Sequence, residues 1–207
     1  MTYPTLKVTY LDSFGRAELT RLALHVAGIP FEDERLSWAS FVALQPSLPF
    51  HQIPTLTING EVLAQSFTMA RYVGRLGGLY PTDRLAAFRV DEVLAACLDL
   101  VDLFMPSFKE PDNAKRLAMR AALSQATLPT LLACIEARLP LSGTYFLGDD
   151  LSIADLELYC SRVFLTQGYL DGIPPSIITP YGRWNAIADA VGAHPKIEAW
   201  VVAHKKK

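Results

Sequence analysis

Hydrophobic and polar positions change period several times over roughly the first 80 residues. Across 5–10, Leu6 and Val8 alternate with other side chains in a run rich in β-formers, which predicts a strand. Leu19, Leu22, Ala23 and Val26 then recur at i, i+3, i+4 and i+7, the spacing of a helix that Gly28 can close and Pro30 keeps from continuing. Phe31 to Leu36 predicts a second strand, and Trp38 to Gln45 a short helical or irregular stretch. After Pro54, Thr55-Leu56-Thr57-Ile58 and Glu61-Val62-Leu63-Ala64 flank Asn59-Gly60, a pair that supplies the positive φ values of a type I′ hairpin turn. Met69, Tyr72, Val73 and Leu76 return to helical spacing, and Gly77-Gly78 with Pro81 ends it. The predicted order is β-α-β-α-β-β-α.

Past a linker at 79–83 the strand signals vanish. Leu94, Cys97, Leu98 and Val101 fit the helical template, as do Leu128, Leu131, Leu132 and Ile135, and again Leu156, Tyr159, Cys160 and Val163. The expected organisation is therefore α/β plus all-α: an N-terminal domain over 1–78 and an all-helical domain over 84–207. Pro129, inside one periodic stretch, predicts a kink or a helix start. Ser152-Ile153-Ala154-Asp155 ahead of an apolar helical face reads as a capping box with Asp in place of Glu, which makes Asp155 a folding residue.

Composition narrows the class. Hydrophobic residues are 51% and charged residues 19% of 207, so the chain can bury a substantial core and is not a disordered polyelectrolyte. A net charge of −2 offers no field for a polyanion and disfavours nucleic-acid binding. The one basic run, Lys205-Lys206-Lys207, reads as a solvated helix end. Cys97, Cys134 and Cys160 are too far apart for a zinc knuckle or a disulfide framework, and the four histidines lack metal-ligand spacing, so no metal is expected. No signal pattern opens the chain and no apolar run approaches membrane-spanning length, which makes the cytoplasm the simplest address.

Several motifs, taken in order, carry a more specific reading. Thr9-Tyr10 is followed by Gly15-Arg16-Ala17-Glu18, then by Leu48-Pro49-Phe50-His51-Gln52-Ile53-Pro54, Gln65-Ser66, Ser152-Ile153-Ala154-Asp155 and Pro195-Lys196-Ile197-Glu198-Ala199-Trp200. In this series and in its two-part architecture the chain resembles the cytosolic glutathione S-transferases, with the match closest to the sigma-like, tyrosine-type members. The resemblance implies a thioredoxin-like glutathione-binding domain, a helical domain lining an electrophile pocket between the two, glutathione as co-substrate, a homodimer and a role in detoxification.

The chemistry such a site needs can be stated independently. A free thiol with a pKa near 8.5 is only slightly ionised at neutral pH, and the thiolate is the nucleophile. Lowering that pKa by ~2 units requires ~2.7 kcal/mol of preferential stabilisation, which one or two charge-assisted hydrogen bonds supply. Tyr10, at the end of the first predicted strand, fits as the donor. Arg16, near the start of the first helix, adds positive potential or, equally well, pairs with Glu18 or another acid. The resemblance makes the Ile53-Pro54 bond cis, so that the backbone around Gln52 and Ile53 pairs with the cysteinyl backbone of glutathione. It places Gln65 and Ser66 at the γ-glutamyl carboxylate, where a helix N-terminus suits an anion. Trp38, Gln45 and Gln52 take the glycyl end, with Gln45 where many relatives carry Lys, so that a charge pair becomes a neutral hydrogen bond. Asp99 matches an acid that crosses the dimer interface to the γ-glutamyl amine; Asp102, one turn on, competes with it, and a plain surface carboxylate is the bland alternative. Leu11, Phe14, Met105 and Phe108 are pocket candidates that fit a core equally well.

Three other functions compete with conjugation. A glutathione-dependent isomerase, such as a prostaglandin D synthase, would use the same activated sulfur. A ligand carrier or crystallin-like descendant would keep the scaffold without turnover. A thiol-disulfide or dehydroascorbate reductase would need a cysteine where this chain has Ser13-Phe14-Gly15.

Overall fold

A computed structural model describes residues 2–204, so the Lys205-Lys206-Lys207 run lies outside the described residues. The contacts divide the chain into two units, one running to Pro81 and taking in the segment from Ala193 onward, the other Thr82–Gly192. The expected division into 1–78 and 84–207 differs from this at the C-terminus, because the last helix belongs with the first unit.

The first unit holds β1 (Leu6–Leu11), α1 (Glu18–Ala27), β2 (Glu32–Leu36), α2 (Trp38–Leu44), β3 (Thr55–Ile58), β4 (Glu61–Ala64), α3 (Ser66–Leu76) and α9 (Pro195–His204). The strands form one sheet in the order β2-β1-β3-β4, with β1 parallel to β2 and antiparallel to β3, and β3 antiparallel to β4. The elements follow the chain order that the periodicities predict, and the sheet is the thioredoxin-like one that the resemblance implies. Between β3 and β4, Asn59 (φ 49°) and Gly60 (φ 93°) take the two positive φ values of the expected hairpin turn. Helix α1 buries Leu19, Leu22, Ala23 and Val26 and ends at Gly28, whose left-handed φ of 69° lets its N–H reach the His25 carbonyl at 3.1 Å. Helices α3 and α9 both pack against α1. The weak stretch after β2 forms α2, because the Ser37 hydroxyl caps it by accepting from the Ser40 N–H at 3.1 Å.

The second unit is helical: α4 (Arg84–Phe108), α5 (Asn113–Gln125), α6 (Thr127–Glu136), α7 (Ile153–Thr166) and α8 (Gly182–Gly192). Helix α4 turns Val90, Val93, Leu94, Cys97, Leu100 and Phe104 inward, and α7 packs against both α4 and α8. Pro129 marks a helix start: it stands in the first turn of α6, where its missing N–H has no intrahelical partner to lose. The capping box opens α7. The buried Asp155 carboxylate accepts from the Ser152 N–H at 2.8 Å and hydroxyl at 2.7 Å, and also from the Phe146 N–H at 2.6 Å, which ties the preceding loop to the helix. No helix among the described residues is long and apolar enough to cross a membrane.

Candidate active site

Strand register collects the candidates of the first unit at one end of the sheet. Tyr10 stands next to last on β1, across from Arg35 of β2, while Thr9 faces Thr55 on β3 and Thr55 faces Ala64 on β4. Because β3 runs against β1, its first residues lie beside the last ones of β1, so Ile53-Pro54 enters the sheet next to Tyr10. β4 leaves the sheet at that same end into Gln65-Ser66, and the parallel β2 leaves it there into Ser37-Trp38. The Ile53-Pro54 peptide bond is cis. Four segments far apart in sequence thus arrive at one end of the sheet by pairing alone.

The segment after β1 is built around the Tyr10 ring, and each residue of the Gly15-Arg16-Ala17-Glu18 motif has a separate place in it. A Cβ on Gly15 would fall 2.7 Å from the Tyr10 hydroxyl oxygen, so the backbone approaches the phenol as closely as only glycine permits. The Arg16 main-chain N–H points to that oxygen at 3.4 Å, while the Arg16 residue itself is exposed. Ala17 is buried against the unit's core. Glu18 pairs with Arg21 at 3.3 Å.

Arg21 escaped the sequence reading and organises this loop. Fully buried, it donates to the Asp33 carboxylate at 2.9 Å, to the Ser13 carbonyl at 3.1 Å, to Glu18 at 3.3 Å and to the Leu11 carbonyl at 3.4 Å. Its guanidinium carbon lies 5.7 Å from the Tyr10 ring centroid, within cation–π range. Leu11, the last residue of β1, and Phe14, in the segment that follows, are half-buried. The signal available was weak: Arg21 follows Glu18 by three residues on a helix whose neighbouring positions are apolar.

The remaining first-unit candidates divide. Gln65 precedes α3 at φ 78° and ψ 100°, a positive-φ conformation that costs a non-glycine residue on the order of 1–3 kcal/mol, and such strain concentrates at functional sites. Ser66 is the first residue of α3, at the helix end where backbone N–H groups are unpaired. Trp38 is 67% exposed, with its ring tilted on Phe41 at 5.3 Å. Gln52 is exposed. Gln45 turns toward its own loop: its amide donates to the His51 carbonyl at 3.1 Å, and the His51 ring meets the Gln45 carbonyl at 3.1 Å. Phe50 and His51, between them, both hold left-handed φ values of 55° and 52°.

In the second unit Asp99 is exposed and borders an open groove of about 810 Å³ lined also by Leu103, Pro129, Leu131 and Cys134. Met105 is half-buried on α4. Phe108 is exposed at the end of α4, under the Arg120 guanidinium at 5.0 Å.

Comparison with known proteins gives the family. Residues 6–75 match the family model described as the glutathione S-transferase N-terminal domain, and residues 98–204 match that of the glutathione S-transferase C-terminal domain. The chain belongs to the glutathione S-transferase family. It is 30% identical to glutathione S-transferase 1 of Ascaris suum over 98% of both chains, and 31% identical to the hematopoietic prostaglandin D synthase of Gallus gallus over 98% of both. Among solved structures, rat hematopoietic prostaglandin D synthase complexed with a quinoline superposes with a TM-score of 0.87 at 28% identity, covering 99% of each chain. Glutathione S-transferases use glutathione as co-substrate, and the family's N-terminal domain, the one that binds it, spans every first-unit candidate from Tyr10 to Ser66. This glutathione S-transferase is accordingly an enzyme whose fold, thioredoxin-like and then helical, is that of its relatives.

Proposed function

We propose that the protein conjugates glutathione to small hydrophobic electrophiles in the cytoplasm, as a homodimer with a detoxifying role. The observation that carries this reading is the convergence of Tyr10, the cis Ile53-Pro54 segment and the Gln65-Ser66 helix start at one sheet end. Four strands at ~4.8 Å spacing span roughly 14 Å. An extended tripeptide at ~3.3–3.6 Å per residue lies comfortably along that edge.

Each element then has a task. The backbone around Gln52 and Ile53 offers an N–H and a C=O as a strand edge for the cysteinyl residue. Ser66 and the first N–H groups of α3 receive the γ-glutamyl carboxylate, with the Gln65 strain holding that end of the chain in place. Trp38, Gln45 and Gln52 attend the glycyl end, Gln45 through the second N–H of its amide, since the first closes the 45–51 loop. The Tyr10 hydroxyl donates to the sulfur, so the thiol proton leaves to solvent and the thiolate persists at neutral pH. The sulfur lone pair forms the new C–S bond as the leaving group departs with its electrons, or as an activated double bond takes up a proton. Arg16 adds positive potential beside the phenol. Asp99 reaches the γ-glutamyl amine of a second subunit. Leu11, at the end of β1, and Phe14, in the segment after it, offer the electrophile apolar surface, and Met105 and Phe108 are the apolar candidates of α4.

The prostaglandin D synthase at 31% identity, level with the transferase at 30%, favours a second reading in which the same thiolate drives an isomerisation. The two separate on glutathione stoichiometry. Incubation with a panel of aromatic halides and unsaturated carbonyls should consume one glutathione per product. Conversion of a prostaglandin endoperoxide with no net glutathione consumption, and none on the electrophile panel, would replace transfer by isomerisation.

A further inference from the structure

Helix α9 lies far from Tyr10 in sequence, yet its Trp200 enters the hydrogen-bond system that braces the Tyr10 loop. The Trp200 indole N–H donates to Glu18 Oε1 at 2.7 Å, across 182 residues of chain, and this contact is buried. The other Glu18 oxygen accepts from Arg21 at 3.3 Å. Arg21 holds the Leu11 and Ser13 carbonyls and lies 5.7 Å from the Tyr10 ring centroid. The indole is itself clamped, stacked on His204 at 3.8 Å and flanked by His25 at 5.1 Å and Phe31 at 6.3 Å.

We propose that Trp200 is a positioning residue for the sulfur-activating hydroxyl, acting through Glu18 and Arg21. The inference rests on the reading that Tyr10 donates to the glutathione sulfur. Its physical basis is that a buried carboxylate must satisfy both oxygens. With the indole donor gone, Glu18 can satisfy Oε1 only by turning toward Arg21 or toward water. Arg21 then shares its fixed fork of donors differently between Glu18 and the carbonyls of Leu11 and Ser13. Those carbonyls belong to the segment that follows Tyr10 and leads to the Gly15 backbone packed against the phenol. A small displacement there is enough, because a hydrogen bond weakens steeply as its donor turns off line.

The test compares four variants by titrating the bound glutathione thiol through its ultraviolet thiolate absorbance, alongside KM and kcat. Trp200→Phe keeps the aromatic packing and removes the N–H; it should raise the thiol pKa by about half a unit and lower kcat about threefold, with KM for glutathione unchanged. Glu18→Gln keeps an acceptor for the indole and removes the charge that grips Arg21; it should shift the pKa at least as far. Lys196→Met breaks a second bond from α9 to α1, from Lys196 Nζ to the Val26 carbonyl at 2.5 Å, without touching Glu18. It should lower the melting temperature and leave the thiol pKa in place. Tyr10→Phe sets the scale with the largest shift. A shift in Tyr10→Phe with none in Trp200→Phe or Glu18→Gln overturns the tether while leaving the role of Tyr10 intact. An equal shift in Lys196→Met overturns it too, since any loosening of α9 would then suffice. No shift in Tyr10→Phe removes both readings together.

Discussion

Arg21 in the first unit and Glu157 in the second are both buried ionisable side chains, but their surroundings differ. Arg21 faces two carboxylates, Glu18 and Asp33, and two loop carbonyls, so its charge is met on every side. Glu157 faces the Ser161 hydroxyl at 2.9 Å and the buried thiol of Cys97, and among the described residues no cation offsets its burial. Burial therefore pushes the Glu157 carboxyl up from 4.5 to about 8, with the Ser161 bond pulling the other way, and burial likewise raises the Cys97 thiol. A buried charge with matched partners anchors a loop, whereas a buried carboxyl without a cation folds best as the neutral acid.

The largest effect expected from this contrast is at Arg21. Arg21→Met leaves Glu18 buried opposite an alkyl chain and should cost about 4 kcal/mol in urea unfolding; a loss under about 1 kcal/mol would mean that the ion pairs anchor nothing. Glu157→Gln should have the opposite sign. Between about pH 4.5 and pH 8 the unfolded chain has released a proton that the native carboxyl keeps, so native stability falls with rising pH by about 1.4 kcal/mol per unit and levels off above. The amide removes that slope and should stabilise the protein by roughly 3 kcal/mol at pH 7, measured as unfolding free energy across the window. Asp155, two residues away on α7, sharpens the comparison. Burial raises its carboxyl as well, yet it accepts from three donors, and Asp155→Ala should cost about 2 kcal/mol by stripping the Ser152 and Phe146 N–H groups.

The same contrast explains what the sequence could show. Strand alternation, the Asn59-Gly60 turn and the helix stops determine a register, and register alone brings Tyr10, Pro54 and Ser66 to one edge. The capping box was readable because both of its residues lie within one helical turn. Arg21 was not, since a charged residue on an amphipathic helix ordinarily faces water. The Trp200–Glu18 bond closes across the whole chain, and no local pattern encodes a contact of that separation. The resemblance places Gln45 at the glycyl end; that its amide also donates to the His51 carbonyl within its own loop is a local contact that residue identity does not reveal. Asp99, Met105 and Phe108 follow from helical spacing only as positions on α4, because a helix face has no partner register to say what it meets.

Titration of glutathione bound to Tyr10→Phe, followed by thiolate absorbance beside the unsubstituted protein, addresses the central claim most directly. The account predicts a thiol pKa higher by about 2 units and a correspondingly slower turnover at neutral pH, with glutathione affinity changed less than about twofold. An unchanged midpoint and an unchanged rate would contradict it.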